Sequence, residues 1–463
     1  MCRAGTIRAL WRPTAGRQWP HVAGISKLQS RLTRSPNAAV VDAGAYTAHH
    51  FANGCNAMGN GITRLRRFSN LQWYLAHSQN RVHLACASRE AISQEAFHAL
   101  LSKVLALAPQ LGWAETLLDD GLIEADAVAP EHVAQYECAA RQGLRLADLA
   151  PQLAKPLADT GRPAFRALCR AAPEPDARGL RSWLLLEASH ALIEGGDVAP
   201  LLHGLPSQED VRPLVDLRPR RLQRLAAGVL MPLLAALHLG ASALPRPDVA
   251  SFRFGRVALE RAAISAVARR MQVTQRALLF GLVLEALFGG RGRWGRRLNV
   301  AYSSLPQVRA LLIDDSFLKV RMDELRLRTG EKAEATIAAT AAAIAARGPS
   351  PLAVQAWHSA LLGWQRRLWR RVPWLFQHGL FGYSPYHIVL SLVPWVRAGK
   401  MIPGASEGIC FAASMTGTTP NCIYAVGARH ITLSLWLPPV LYARLGNVAA
   451  VARALQIDAE IWE

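Results

Sequence analysis

Residues 180–189, "LRSWLLLEAS", are the stretch that most restricts what this chain can fold into. A continuous apolar run of strand length reads as a strand buried inside a sheet. The run before it, "RPAFRALCRA" (162–171), has the same character, and the "APEPDARG" between them is rich in proline, aspartate and glycine. The two therefore read as paired strands joined by a turn. A buried strand needs a sheet beside it and helices over it, so the chain is committed to a layered fold.

The buried strand runs straight into "SHALIEGG", Ser189 to Gly196. His190 can fill a core, or it can take a proton, because neutral imidazole titrates near neutral pH. Glu194 follows four residues later. Gly195 and Gly196 then allow close approach of the backbone, the kind of turn whose N–H groups can face an oxyanion.

The rest of the chain mixes strands and helices. "RVHLACAS" (81–88) reads as a strand. Residues 93–111 read as an amphipathic helix capped by Ser93, with Leu100, Leu101, Val104, Leu105 and Leu107 on its apolar face and Pro109 at its end. Residues 129–154 read as helix or loop. Farther on, 256–290 read as two helices split near Gln272–Thr274, and 331–348 as an Ala-rich helix ended by Gly348. Strands are expected at 296–305, 314–325, 387–394, 408–418 and 422–438, and a terminal helix at 442–456. His387 and His430 fall in strand-like runs and read as structural histidines with backbone partners. The fold class is α/β (α+β), in two similar halves.

Composition supports a large two-part fold. The chain has 463 residues, 51% of them apolar and 19% charged, ample material for a core. Its seven cysteines are odd in number and form no C-x-x-C pair, which argues against a disulfide framework or a zinc cluster. A reducing, cytoplasmic setting is expected, with no metal site. The net charge is +20, of which residues 1–67 carry +9. Residues 1–57 are Arg-rich, poor in acid and lack a continuous apolar segment, unlike a secretory signal. They fit either a mitochondrial transit peptide or sequence upstream of a start at Met58, and His49 and His50 are set aside with them. The expected organisation is a basic leader (1–65), a first half (66–215), a connecting helix or linker (216–250) and a second half (251–463).

The order of these elements resembles the CoA-dependent acyltransferase superfamily with the chloramphenicol-acetyltransferase fold, especially bacterial wax ester synthase/diacylglycerol acyltransferases and condensation domains. That family carries H-H-x-x-x-D-G after a central strand. Here Ser189 and His190 stand at the two histidine positions and Glu194-Gly195 at the Asp-Gly. Pro163-Ala164-Phe165 lies where the family has P-L-W, and Ser391-Leu392-Val393-Pro394-Trp395 where it has S-N-V-P-G. Thr274 alone matches the family's T-x-N-D. The resemblance implies two sandwich halves with an active-site tunnel between them and His190 as general base. Ser189, Glu194, Gly195 and Gly196 would support the motif, and Ser391, Pro394 and Trp395 would line the tunnel or meet the oxyanion. Arg166 is the candidate partner of Glu194. The substrates implied are acyl-CoA, or an acyl-carrier thioester, and an alcohol or lipid acceptor, with no bound cofactor. The other reading is a catalytically degenerate lipid- or partner-binding relative.

Two segments bear on membranes. Residues 225–244 are nearly apolar, but Pro232 and Gly228 argue for a buried or surface-lying helix. On a helix over 357–376, Trp357, Leu361, Trp364 and Leu368 share a face, with Arg366, Arg367, Arg370 and Arg371 nearby. That helix is the expected contact with an anionic membrane surface. No nucleic-acid motif accompanies the positive charge, so no nucleic acid is expected as a partner.

Overall fold

The computed structural model describes residues 64–78, 80–117, 120–124, 128–138, 163–176, 179–193, 197, 201, 220–242, 251–289, 297–306, 320–330, 332–346, 352–372, 386–393, 405–414, 419–427 and 429–462. The leader, Glu194, Gly195, Gly196, Pro394 and Trp395 lie outside these residues. All the described residues belong to one unit, Ala52–Glu463.

The chain runs β1 (Arg64–Arg67), α1 (Asn70–His77), β2 (Asn80–Ser88), α2 (Gln94–Leu107), β3 (Ala114–Thr116), β4 (Gly121–Glu124), β5 (Ala134–Cys138), β6 (Phe165–Ala171) and β7 (Ser182–Ser189). Then come α3 (Arg221–Ser242), β8 (Arg253–Glu260), α4 (Arg261–Arg270), α5 (Gln275–Phe288), β9 (Arg297–Pro306), β10 (Val320–Arg328), α6 (Ala333–Ala345) and α7 (Leu352–Arg371). The last elements are β11 (Ile388–Val393), β12 (Ala405–Ser414), β13 (Asn421–Val426), β14 (His430–Leu437), α8 (Pro439–Tyr442), α9 (Leu445–Ala454) and β15 (Ala459–Trp462).

Local chemistry sets the helix starts. Ser69 and Gln72 form a reciprocal capping box on α1, at 3.2 and 3.0 Å. Ser93 caps α2 through Ala96 N, and Thr274 caps α5 through Ala277 N. α2 buries Phe97, Leu100, Leu101, Val104 and Leu105 against β2, β6 and β7.

The strands form three sheets: β1-β4-β3, β12-β2-β7-β6-β5, and β10-β9-β11-β13-β14-β8-β15. Most pairs are antiparallel, and β5/β6, β9/β11 and β11/β13 are parallel. β7 is central in its sheet and every one of its residues is buried. The two larger sheets exchange a strand. β12, from the C-terminal part of the chain, pairs antiparallel with β2 from Ala405↔Ser88 to Ser414↔Asn80.

The seven-stranded sheet has two different faces. Cys422 and Tyr424 of β13 point into a core with α5, α6 and α9, which includes Val257, Leu259, Phe280 and Val448. Their neighbours Ile423 and Ala425 join the core of the five-stranded sheet instead. Period-2 alternation thus makes one strand serve both layers. Among the described cysteines Cys86, Cys138, Cys169 and Cys422 are free thiols.

Three sequence expectations are corrected. Residues 256–260 are the end of β8, not helix: Val257 and Leu259 enter the helix-covered core while Arg256 faces the other way. Five residues are too few to separate period 2 from period 3.6. Residues 129–154 were expected to be helical or loop, but 134–138 form β5, because β6 offers a parallel partner. The strand expected at 314–325 is β10, at Val320–Arg328.

Candidate active site

His190 is the first residue beyond β7, and its position is fixed by its neighbours. Its backbone N–H donates to Asn80 O at 2.8 Å, and that of Ser189 donates to Ala164 O at 2.9 Å. Leu192 N closes a turn onto Ser189 O at 3.0 Å. Ala191 and Leu192 are fully buried among Phe68, Trp73, Trp113 and Ala164, and Gln72 Nε2 donates to Ala191 O. A half-buried His190 therefore sits between a buried strand and a buried turn, with its Nδ1 buried. Both sides of the residue are clamped, so the ring has a rigid mount.

Pro163-Ala164-Phe165 supplies part of that mount. Ala164 O receives Ser189 N, and Ala164 N donates to Trp113 O, so Ala164 ties β7 to the chain leading into β3. β3 carries a group the sequence reading missed. Glu115 is buried, and its carboxyl is hydrogen-bonded to the Ser189 side chain. Burial pushes the Glu115 carboxyl up to about 7, against the Ser189 hydrogen bond and the charge of Arg81. Ser189 Oγ also accepts from Ala191 N at 3.3 Å, so the serine at the first-histidine position links the buried carboxyl to the His190 turn.

A second polar cluster lies on the same face of the sheet. Leu186 and Ala188 share a small apolar space with Val104 of α2, so by alternation Glu187 and Ser189 look away from that helix. Register places His83 on one side of Glu187 and Arg166 on the other. Arg81 Nη1 donates to Glu187 Oε1 at 2.7 Å, His83 Nε2 donates to the same oxygen at 3.0 Å, and Arg166 bonds Oε2. Burial holds His83 below its usual range, against the pull of the Glu187 carboxylate. Burial also opposes ionisation of Glu187, but the electrostatic pull and hydrogen bond of His83, with the Arg166 and Arg81 charges, outweigh it and hold the carboxyl at about 2. Arg166, expected to pair with Glu194, is thus engaged by Glu187. Glu194, the partner expected for Arg166, lies outside the described residues.

Ser391 lies on β11 in the other large sheet. Leu390 faces the helix-covered core, so Ser391 faces the opposite side. It is in lateral register with Ile423, which joins the core containing Leu186, Ala188 and Ile193. Ser391 and the His190 strand are thus presented by two different sheets that share that core. His387 acts structurally: its Nδ1 accepts from Asn299 N at 3.1 Å. An open groove of about 810 Å³ lies away from these residues, bordered by Glu260, Arg261, Arg429, His430, Arg453 and Asp458. Among the described residues no cluster of histidine, cysteine and carboxylate side chains could hold a metal ion.

Comparison with known proteins places this geometry. No protein-family model and no curated protein sequence matches the chain. Solved structures do. The trichothecene 15-O-acetyltransferase TRI3 from Fusarium sporotrichioides superposes with a TM-score of 0.54 at 11% identity, covering 85% of this chain and 96% of that one. The first condensation domain of the CDA synthetase superposes with a TM-score of 0.50 at 11% identity, covering 86% and 97%. With two large sheets, the first completed by a strand from the C-terminal part of the chain, and a histidine at the end of the central buried strand, the chain has the fold of this acetyltransferase and this condensation domain.

Proposed function

We propose that this protein is an acyl-CoA-dependent O-acyltransferase that moves an acyl group from a thioester to the hydroxyl of a lipid-like alcohol, with His190 as general base. The observation that carries the reading is the mount of His190: a partly exposed residue clamped between a buried strand and a buried turn. A core histidine needs no such exposure.

The chemistry asks little else of the chain. With Nδ1 buried, the base role is assigned to Nε2. It removes the proton of the acceptor hydroxyl as the oxygen attacks the thioester carbonyl. The tetrahedral oxyanion needs hydrogen-bond donors, a role for the Gly195-Gly196 backbone and the Ser391 hydroxyl. Collapse breaks the C–S bond, and the imidazolium returns its proton to the departing thiolate. The products are an ester and free CoA, or a free carrier thiol if the donor is a carrier thioester. A thioester is already activated, so no covalent acyl-enzyme and no bound cofactor enter the scheme.

The test is thiol release from long-chain acyl-CoA in the presence of fatty alcohols and diacylglycerol, with wild type beside His190→Ala. Loss of a general base typically lowers the rate by about 10²–10⁴. The expected result is that loss with an unchanged melting temperature. A His190→Ala enzyme as fast as wild type overturns the assignment. Tight acyl-CoA binding by a wild type with no turnover across the panel favours the catalytically degenerate, ligand-binding reading.

A further inference from the structure

α3 presents its apolar side chains to solvent. Leu222, Leu225, Val229 and Leu233 are 79, 66, 79 and 58% exposed, and Ala236 is exposed beyond them. At 100° per residue these five positions fall in one narrow stripe. The opposite face is occupied. Ala227 is buried, Gly228 lies against the Trp364 ring of α7, and Trp364 Nε1 donates to Arg224 O at 2.6 Å. An ordinary surface helix turns its apolar side inward and its polar side outward. This one is held by small residues and shows leucine and valine to water, the mark of an interaction surface.

Charge selects the occupant. Neither α3 nor α7 contains an aspartate or a glutamate. Arg220, Arg221 and Arg224 are exposed at the start of α3, and Arg367 and Arg371 are exposed on α7. Asp120, from the turn before β4, is engaged by Arg366 and Arg370. A folded partner would need an apolar groove rimmed by acid, whereas an anionic bilayer offers an apolar layer beneath a continuous negative surface. No single described helix is long and apolar enough to cross a membrane, so the fitting arrangement is a helix lying in the interface.

We propose that α3 docks the protein on anionic phospholipid, with Leu222, Leu225, Val229 and Leu233 at the boundary between headgroups and acyl chains and the flanking arginines among the headgroups. This moves the membrane contact from α7, where the sequence placed it, to α3. The proposal does not depend on acyl transfer and is tested without an activity assay.

The experiment is flotation of the full-length chain with vesicles of phosphatidylglycerol and phosphatidylcholine in equal parts, and with pure phosphatidylcholine. Wild type is expected to float with the anionic vesicles and to be released by salt. Leu225→Glu/Val229→Glu changes side chains already in water, so its melting temperature should hold while binding falls about tenfold or more. Arg220→Gln/Arg221→Gln/Arg224→Gln should weaken binding and flatten its salt dependence. Failure of wild type to float at low salt overturns the proposal, as does equal flotation of the glutamate variant. A wild-type dimer that the glutamate variant splits, with neither floating, overturns it in favour of a surface between two copies of the chain.

Discussion

The buried carboxyl of Glu115 hydrogen-bonds the side chain of Ser189, one residue before His190. The link joins two parts of the chain that the sequence keeps far apart. It also places a titrating group behind the candidate base.

Glu115 should make stability fall as pH rises. Its carboxyl moves from an ordinary 4.5 to about 7 on folding, so the native state binds the extra proton between those values. The stability is fully present below about 4.5 and is lost as pH rises through about 7. The difference amounts to about 3 kcal/mol at pH 8. Glu115→Gln keeps an acceptor for the Ser189 hydroxyl and removes the titration. Urea unfolding from pH 5 to 8 should show wild type declining relative to the variant, and parallel curves would rule the assignment out.

Glu187 should behave in the opposite sense. Its folded carboxyl titrates at about 2, below the ordinary 4.5, so its contribution is present above 4.5 and is lost as pH falls through about 2. Glu187→Gln leaves Arg81 and Arg166 without their shared carboxylate. The expected cost is about 3–5 kcal/mol at neutral pH. The variant's stability should also depend less on pH between 4.5 and 2, which chemical denaturation at each pH measures.

Arg366 should matter for folding rather than for membranes. Its guanidinium reaches Asp120 Oδ2 at 3.0 and 2.6 Å and donates to Phe68 O at 2.8 Å, tying α7 to the chain between β1 and β4. Arg366→Gln should lower stability by about 3 kcal/mol, since it leaves a buried carboxylate with one cation fewer. Vesicle binding by the fraction that remains folded should match wild type. A variant that is stable but released from vesicles would return the membrane contact to α7.

Two glycine-to-alanine changes should have opposite signs. A Cβ at Gly281 on α5 would lie 2.6 Å from the Ile337 Cα of α6, and backbone cannot yield as a side chain can. Gly281→Ala should cost about 1–3 kcal/mol despite the better helix propensity of alanine. At Gly446 in α9 a Cβ meets nothing within 4 Å, so Gly446→Ala should stabilise by about 0.5–1 kcal/mol. Melting curves of the two variants give the comparison.

What the sequence disclosed depended on whether its signal was local. Buried β7, the helix capped by Ser93 and the helix break before α5 all follow from runs of neighbouring residues. Glu115 did not stand out, because a single carboxylate in "WAETLL" carries no period, and its hydrogen-bond partner Ser189 lies far along the chain. The bond of Arg166 to Glu187 was hidden for a related reason: it is set by strand register, which spacing in the sequence does not reveal. The outward face of α3 was hidden by composition. A nearly uniform apolar segment does not say which side will be covered, and Gly228 against Trp364 decides it.

The pairing of β2 with β12 governs how the chain can be made. During synthesis β2 emerges early, while residues 405–414 emerge near the end. Until then β2 has β7 on one side and a bare row of N–H and C=O groups on the other. The sheet that carries His190 is therefore completed by late translation, and its closure carries the entropy of a very long loop. Until β12 is made, the nascent chain carries an unpaired edge of the kind that invites mispairing. Splitting the gene between the two halves would remove the edge strand from one product and strand it, unpaired, in the other.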